Sequence, residues 1–349
     1  KFITIKRNKD FIEILKTEYN VSDNSEIDNE WIKWISRLES NGNVKESVEY
    51  LKNYISDWSI KDFEEDPEQL EKYFEKLVSL DEELFNLTYL KFYEKFFIDN
   101  EIDNKNFVNF VIDFFERLVQ LENFNSNDLQ ICFSLQEKIL ALGVSNSQYK
   151  KLVDALRIVI NPEKIGLNNF DLMLDISETF SYYPNTDEKS ATEFHALILE
   201  IGQKYSQRID QNQKLCLRKL SEDLGGIPKW LELNSEEKNA EEEFFENSYS
   251  HLNDKKIGIY TLNENAAKRI REIIVSKVPS CKIDLNSDKE CTTRLKALAS
   301  NSDIFVFSWK CSKHQAFYCI QNNRSRELPL LQPLGKGSAS ILRELVQTN

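Results

Sequence analysis

Asp303-Ile304-Phe305-Val306-Phe307-Ser308 is the stretch that decides the fold of this chain. Four consecutive apolar residues between polar ones are typical of a strand buried on both faces of a parallel sheet. Similar short runs lie at 256–262, 281–285 and 328–334, and segments with helical periodicity separate them. The alternation predicts a small parallel α/β sheet with right-handed crossovers, which is a Rossmann-like or flavodoxin-like three-layer sandwich.

The residues before this region have a different pattern. Apolar side chains recur at three- and four-residue spacing, which predicts helices, and the segments end at Asn/Asp/Ser/Gly clusters or at prolines. We expect helices over 11–15, 31–38, 48–58, 70–80, 84–98, 107–121, 129–142, 149–160, 170–182, 191–205 and 215–224. This succession predicts an all-α helical-hairpin array or bundle, without a tetratricopeptide or ankyrin signature.

Charge also divides the chain. The net charge of the chain is −13. Residues 251–349 contain 16 Lys/Arg and 9 Asp/Glu, whereas residues 1–250 contain 29 Lys/Arg and 49 Asp/Glu. An acidic run from Glu236 to Glu243 precedes the change and indicates the boundary. We therefore predict an acidic helical scaffold domain over 1–250 and a basic Rossmann-like α/β domain over 254–349. The basic part could attract phosphates, whereas the acidic part should repel nucleic acid.

Composition limits the class of protein. The chain is 41% hydrophobic and 30% charged, and no run approaches the roughly 20 apolar residues that span a bilayer. No signal peptide is recognisable, so we expect a cytoplasmic protein without membrane association. The six scattered cysteines are expected to be reduced thiols, and three histidines are too few for a His-rich metal site. We predict no metal and no cofactor.

The turn Leu334-Gly335-Lys336-Gly337-Ser338-Ala339-Ser340 follows the last predicted strand and precedes a helix. A glycine-rich turn at a helix N-terminus presents backbone N–H groups and a partial positive charge, which together favour a phosphate or another anion. The alternative is that the glycines only permit a tight turn. The turn is not a Walker A motif, because Lys336 precedes the second glycine, and the first strand lacks Gly-x-Gly-x-x-Gly.

Ligands of open parallel sheets bind at the carboxyl ends of the strands, where the loops at 261–265, 308–314 and 335–340 should meet. The predicted anion-binding set comprises Asn263, Ser308, Lys310, Ser312, Lys313, His314, Gly335, Lys336, Gly337, Ser338 and Ser340.

No catalytic residue is predicted, although Cys311 and His314 are weak candidates for a nucleophile and a base. A catalytic dyad needs an orienting group and an oxyanion hole, and neither is visible in the sequence. A metal site at Cys311, His314 and Cys319 would lack the fourth ligand of a closed zinc site. We expect His195 to be a structural histidine, and Trp31, Trp34 and Trp58 to be core residues.

Residues 303–345 resemble a small bacterial Rossmann-like domain of uncharacterised function. The resemblance rests on the Asp-led strand from Asp303, the turn Ser312-Lys313-His314, and the Gly/Ser turn before the last helix. In that family Ser directly precedes His, whereas Lys313 intervenes here. The resemblance covers only 254–349, about a quarter of the chain, and implies a context of anti-phage defence or DNA processing.

Three functions are compatible with these observations. The first is a non-enzymatic component of a bacterial defence or DNA-processing system, with a nucleotide or nucleic-acid phosphate at Lys336 and a protein partner on the helical domain. The second is an enzyme that acts on a nucleotide through His314 or Cys311. The third is an adaptor that binds only proteins.

Overall fold

The structure is a computed structural model that describes residues 30–41, 44–80, 82–99, 104–121, 124–161, 166–224, 226–308 and 314–347. Contacts divide the chain into two compact units, Lys1–Phe110 and Val111–Asn349. The predicted domain boundary between residues 250 and 254 stays a prediction. Within the ranges given above, no helix is both long enough and apolar enough to cross a membrane.

The first unit is helical around an aromatic core. Trp31 and Trp58 pack edge to face with their ring centroids 4.8 Å apart. Trp34 is 1% exposed, and its indole N–H donates to the Ser47 carbonyl at 2.9 Å. The prediction that these tryptophans are core residues is confirmed, while the helix predicted at 11–15 lies outside the described residues. The elements are α1 (Glu30–Asn41), α2 (Val44–Tyr54), α3 (Lys61–Glu65), α4 (Pro67–Leu80), α5 (Glu82–Tyr93) and a π-helical segment (Glu94–Asp99).

Further helices precede the sheet. Their bounds agree with the apolar periodicity to within a few residues. They are α6 (Val108–Leu118), α7 (Ser126–Leu142), α8 (Asn146–Val159), α9 (Phe170–Phe180), α10 (Glu188–Lys204), α11 (Gln211–Leu224) and α12 (Ser235–Tyr249).

Helix α12 was not predicted from the sequence, because the segment is dominated by acidic residues. Its acidic sequence was interpreted as a boundary, but Asn234 and Glu237 form a reciprocal capping box that starts a helix. Phe245 and Tyr249, at the other end, are 2% and 1% exposed and pack into the core beside the sheet. The acidic residues therefore form mainly the outer face of a helix that the second unit needs for packing.

The predicted fold class, α followed by α/β, is confirmed. The strands β1 (Lys256–Tyr260), β2 (Lys282–Asn286), β3 (Ile304–Phe307) and β4 (Leu330–Leu331) form one parallel sheet in the order β2-β1-β3-β4. The helices that follow them are α13 (Glu264–Lys277), α14 (Thr293–Asn301), α15 (His314–Asn323) and α16 (Ser338–Val346).

Alternation along the strands builds the three layers. Ile257, Ile259 and Val306 face one core cluster, which also contains side chains of α11, α12, α13 and α16. Tyr260 and Phe305 face the opposite cluster, which contains side chains of α14 and α15. The central strands β1 and β3 therefore bury both faces, as their apolar sequences predict, whereas Lys282 and Asp284 of β2 are exposed.

The cysteines depart from the expectation of reduced thiols. Cys291 and Cys319 form a disulfide that joins the segment before α14 to α15. Cys132, Cys216 and Cys281 are buried, and Cys311 lies outside the described residues. Sequence spacing did not predict the pair because 28 residues separate the two cysteines, and they meet only through the packing of α14 against α15.

Candidate functional site

The carboxyl edge of the sheet brings together part of the predicted site. Asn263 follows β1 and caps α13, since its side-chain oxygen accepts a hydrogen bond from Ala266 N at 3.1 Å. Ser308 follows β3 and is 1% exposed, and its buried hydroxyl has no hydrogen-bond partner among the described residues. Lys310, Ser312 and Lys313 lie outside the described residues, as does Cys311, and His314 is the first residue of α15.

The Gly335–Ser340 turn does hold an anion, and that anion belongs to the chain itself. The Asp175 carboxylate, on α9, accepts hydrogen bonds from the backbone N–H groups of Gly337 and Ala339, each at 3.1 Å. A longer bond of 3.4 Å comes from Ser340 N. Gly337 is the N-cap of α16 and has no side chain to cap the helix. Asp175 therefore satisfies N–H groups that the first turn of a helix leaves without intrahelical acceptors.

A second carboxylate completes this arrangement. Glu178, one turn after Asp175, accepts a hydrogen bond from Ser338 N at 2.7 Å. Its other oxygen lies 3.0 Å from Nε of Arg269 and accepts a hydrogen bond from the Tyr182 hydroxyl. Burial and the neighbouring Glu178 raise the pKa of Asp175 well above its usual range. The N–H groups of the turn oppose this effect, because hydrogen bonds to an ionised carboxylate stabilise it.

The two glycines are explained by the approach of Asp175. A Cβ atom on Gly335 would lie 2.4 Å from Asp175 Oδ2, and one on Gly337 would lie 2.4 Å from Asp175 Cγ. Neither Gly335 nor Gly337 is among the glycines with positive φ, so backbone conformation alone does not require glycine at either position. Their role in this structure is to leave room for the carboxylate.

Lys336 is turned inward. It is 4% exposed, forms an ion pair with Glu137 of α7, and lies with its ammonium 5.0 Å from the centroid of the Phe133 ring. Glu137 also accepts a hydrogen bond from Asn263 Nδ2 at 3.3 Å. One carboxylate thus bridges two of the loops that were predicted to bind a ligand.

Sequence reasoning missed Asp171, Asp175 and Glu178, which form one stripe on α9. Asp171 binds Arg343 of α16 at 3.0 Å and accepts a hydrogen bond from Gln213 at 3.2 Å. The sequence shows only three acidic residues at helical spacing in an otherwise largely apolar segment, and the structure buries all eleven residues of that helix. Buried carboxylates require partners, so the stripe pointed to donors on a neighbouring element.

The other sequence predictions concern His195 and metal ligands. His195 is 4% exposed between the hydroxyls of Ser177 and Ser221, so its assignment as a structural histidine is confirmed. Among the described residues, no group of three or more His, Cys, Asp or Glu side chains could hold a metal ion.

Comparison with known families adds to this geometry. A model of the DpdD-like family matches residues 3–344. The chain belongs to the DpdD-like family. The resemblance predicted for residues 254–349 alone was too narrow, because the DpdD-like match spans the helical residues as well. This breadth agrees with the contacts of Glu137, Asp171, Asp175 and Glu178, which unite the helices of the second unit with the sheet. No curated protein and no solved structure matches the chain.

Proposed function

We propose that this DpdD-like chain is a non-enzymatic scaffold in a bacterial DNA-modification or defence system, and that it acts by binding other proteins of that system. Membership of the DpdD-like family suggests the setting. Within the second unit, carboxylates of α7 and α9 fill the sheet edge at which Rossmann-like domains hold ligands. Because this edge is already occupied, a domain that presents a protein-binding surface is favoured over one that binds a nucleotide at the edge.

The observation that carries this proposal is the filled turn. Four consecutive N–H groups, from residues 337 to 340, donate to Asp175 or Glu178. An incoming phosphate would have to displace buried carboxylates and leave them without donors. Stranding a buried charged group costs several kcal/mol, which a single phosphate contact does not offset.

The test is purification of the full chain together with the proteins encoded beside it. We expect a stable complex that survives in the Lys336→Ala and His314→Ala variants, because neither residue would contact a protein partner. Loss of the complex in either variant, with the fold intact by circular dichroism, would contradict the scaffold proposal. So would the absence of any complex.

A second candidate is a sensor in which a nucleotide or nucleic-acid phosphate competes with Asp175 for the turn. The excess of basic residues over 251–349 favours it. Amide hydrogen exchange at residues 337–340 separates the two functions. The scaffold predicts slow exchange that nucleotides leave unchanged, whereas the sensor predicts altered exchange that is lost in Lys336→Ala.

The enzymatic alternative, with His314 or Cys311 as the acting group, stays a prediction. It requires turnover of some nucleotide that the His314→Ala substitution abolishes. Nucleotides that remain intact after long incubation with the full chain argue against it.

A further inference from the structure

The second unit also contains a cleft that is not lined by residues of the Gly335–Ser340 turn. It runs between α11 and α13, and α12 contributes to its lining. Its volume is about 470 Å³, which falls within the range of small-molecule sites. Leu215 and Ile273 supply apolar walls, and the remaining lining is mostly charged.

Two cations share one carboxylate inside this cleft. Arg218 of α11 forms an ion pair with Glu241 of α12, and both residues are less than 8% exposed. Lys277 of α13 lies 3.9 Å from the other oxygen of Glu241, with its ammonium 4.6 Å from the centroid of the Phe245 ring. This triad carries one net positive charge in a poorly solvated position.

Arg218 also has one donor nitrogen that no described residue accepts from. Its Nη2 is used by Glu241, but its Nη1 is buried and lacks a hydrogen-bond partner in the described structure. A buried guanidinium N–H without an acceptor is costly, and so is an uncompensated buried charge. An anion that enters the cleft would correct both, because guanidinium binds oxyanions through parallel N–H bonds.

The mouth of the cleft limits the size of that anion. Glu222 and Glu272 line it, and Lys219 neutralises only Glu222, at 2.8 Å. Arg269 is engaged by Glu178 at 3.0 Å and Asp223 at 2.6 Å, so it supplies no free charge. Carboxylates at the entrance repel a polyanionic strand, whereas a single phosphate group can pass them to reach the triad.

We infer that this cleft binds the phosphate group of a mononucleotide-sized monoester, held by Arg218 and Lys277. The inference does not rest on the scaffold function, because the cleft shares no binding residue with the Gly335–Ser340 turn. Nucleic acid is disfavoured by the carboxylates at the mouth.

The test is calorimetric titration of the full chain with AMP, with inorganic phosphate and with adenosine, at constant ionic strength. We expect AMP and phosphate to bind and to raise Tm, and adenosine to do neither, because a ligand that binds only the folded state stabilises it. A short single-stranded DNA is expected to bind more weakly than AMP.

Two variants remove the proposed contacts. Lys277→Met keeps the side-chain stem over Phe245 but removes the charge, and Arg218→Lys keeps the charge but removes the unpaired donor. Each should weaken AMP binding at least tenfold. Lys268→Met is the matched control, since Lys268 lies on the same helix, pairs with Glu264 and does not line the cleft. Lys336→Ala, at the turn, should also leave AMP binding unchanged.

The inference is overturned if neither AMP nor phosphate binds, or if Lys277→Met binds AMP as the wild type does. Because Lys277 is only partly buried, this variant decides the matter even if Arg218→Lys does not fold. DNA binding tighter than that of AMP would equally overturn it. Loss of AMP binding in Lys336→Ala but not in Lys277→Met would place the ligand at the turn, and would overturn this inference and the scaffold proposal together.

Discussion

Two strand-to-helix turns at the carboxyl edge of the sheet, one after β1 and one after β4, are capped in opposite ways. After β1, Asn263 caps α13 with its own side chain, through a hydrogen bond that spans three residues. After β4, Gly337 has no side chain to offer, and the cap of α16 comes from Asp175, 162 residues earlier. The first cap stabilises one helix, whereas the second ties that helix to a distant segment. A turn that resembles a ligand site can therefore be a site that the chain fills itself.

The largest effect on stability is expected from removal of the remote cap, which is the Asp175 carboxylate at the N-terminus of α16. Asp175→Ala should destabilise the second unit by about 3–5 kcal/mol, because it leaves the buried N–H groups of residues 337, 339 and 340 without their acceptor. Urea denaturation followed by far-UV circular dichroism measures the loss. Asp187→Ala, which removes the local cap of α10, is the matched control and should cost less. Equal losses in the free energy of unfolding would show that the remote cap contributes no more to stability than the local cap does.

Acid should weaken the helix that supplies the remote cap. Burial lowers the pKa of His195 to about 4, so the folded state favours the neutral ring that bridges Ser177 of α9 and Ser221 of α11. The unfolded chain binds the proton near pH 6.5, and this stability is therefore present above pH 6.5 and lost as the pH falls toward 4. The loss amounts to about 3 kcal/mol.

Urea midpoints measured across this pH range check the expectation. His195→Gln should be less stable at pH 7 but should show a flatter dependence on pH than the wild type. Parallel pH profiles of the two proteins would rule out His195 as the source of the acid sensitivity.

Crowding the remote cap should have a smaller effect. Gly337→Ala places a methyl group 2.4 Å from Asp175 Cγ and should cost about 1–3 kcal/mol through overpacking. In an Asp175→Ala background the clash disappears, so the same substitution should cost much less. Additive losses in this double-mutant cycle would mean that the glycine is needed for another reason.

Removing the local cap should have the smallest effect. Asn263→Ala should cost about 1 kcal/mol, whereas Asn263→Ser retains a capping oxygen and should recover most of the loss. Thermal unfolding of both variants provides the measurement. A loss in Asn263→Ser as large as in Asn263→Ala would show that the contact with Glu137, and not the cap, is what stabilises this turn.

The elements predictable from sequence are those that depend on neighbours along the chain. Apolar runs such as Ile304–Phe307 located all four strands, because burial on both faces of a strand leaves a continuous apolar stretch in the local sequence. Helix α12 was missed for the reason that its charges dominate its composition, while Phe245 and Tyr249, which dock it, are few.

The site depended on contacts that no local pattern encodes. The prediction that Gly335, Lys336 and Gly337 bind an external anion stays a prediction, and in the structure carboxyl groups of the same chain occupy this turn. The identity of the anion was beyond reach, because Asp175 and Glu137 lie more than 150 residues away and their proximity follows from tertiary packing. Arg218 escaped notice for the same reason, since its unpaired Nη1 exists only once α11, α12 and α13 have assembled.

Asp175 is far in sequence from the helix that it caps, and this separation decides which fragments of the protein can be expressed alone or fused to another protein. Residues 254–349 are continuous and contain the whole sheet, which makes them an attractive fragment to express or to fuse elsewhere. Without α9, however, α16 would begin with bare N–H groups at 337–340, and the fragment would acquire an anion site that the intact chain keeps filled. A ligand screen on that fragment would report an artefact of truncation. A transferable module therefore has to include α9, and the helices that pack against the sheet, together with residues 254–349.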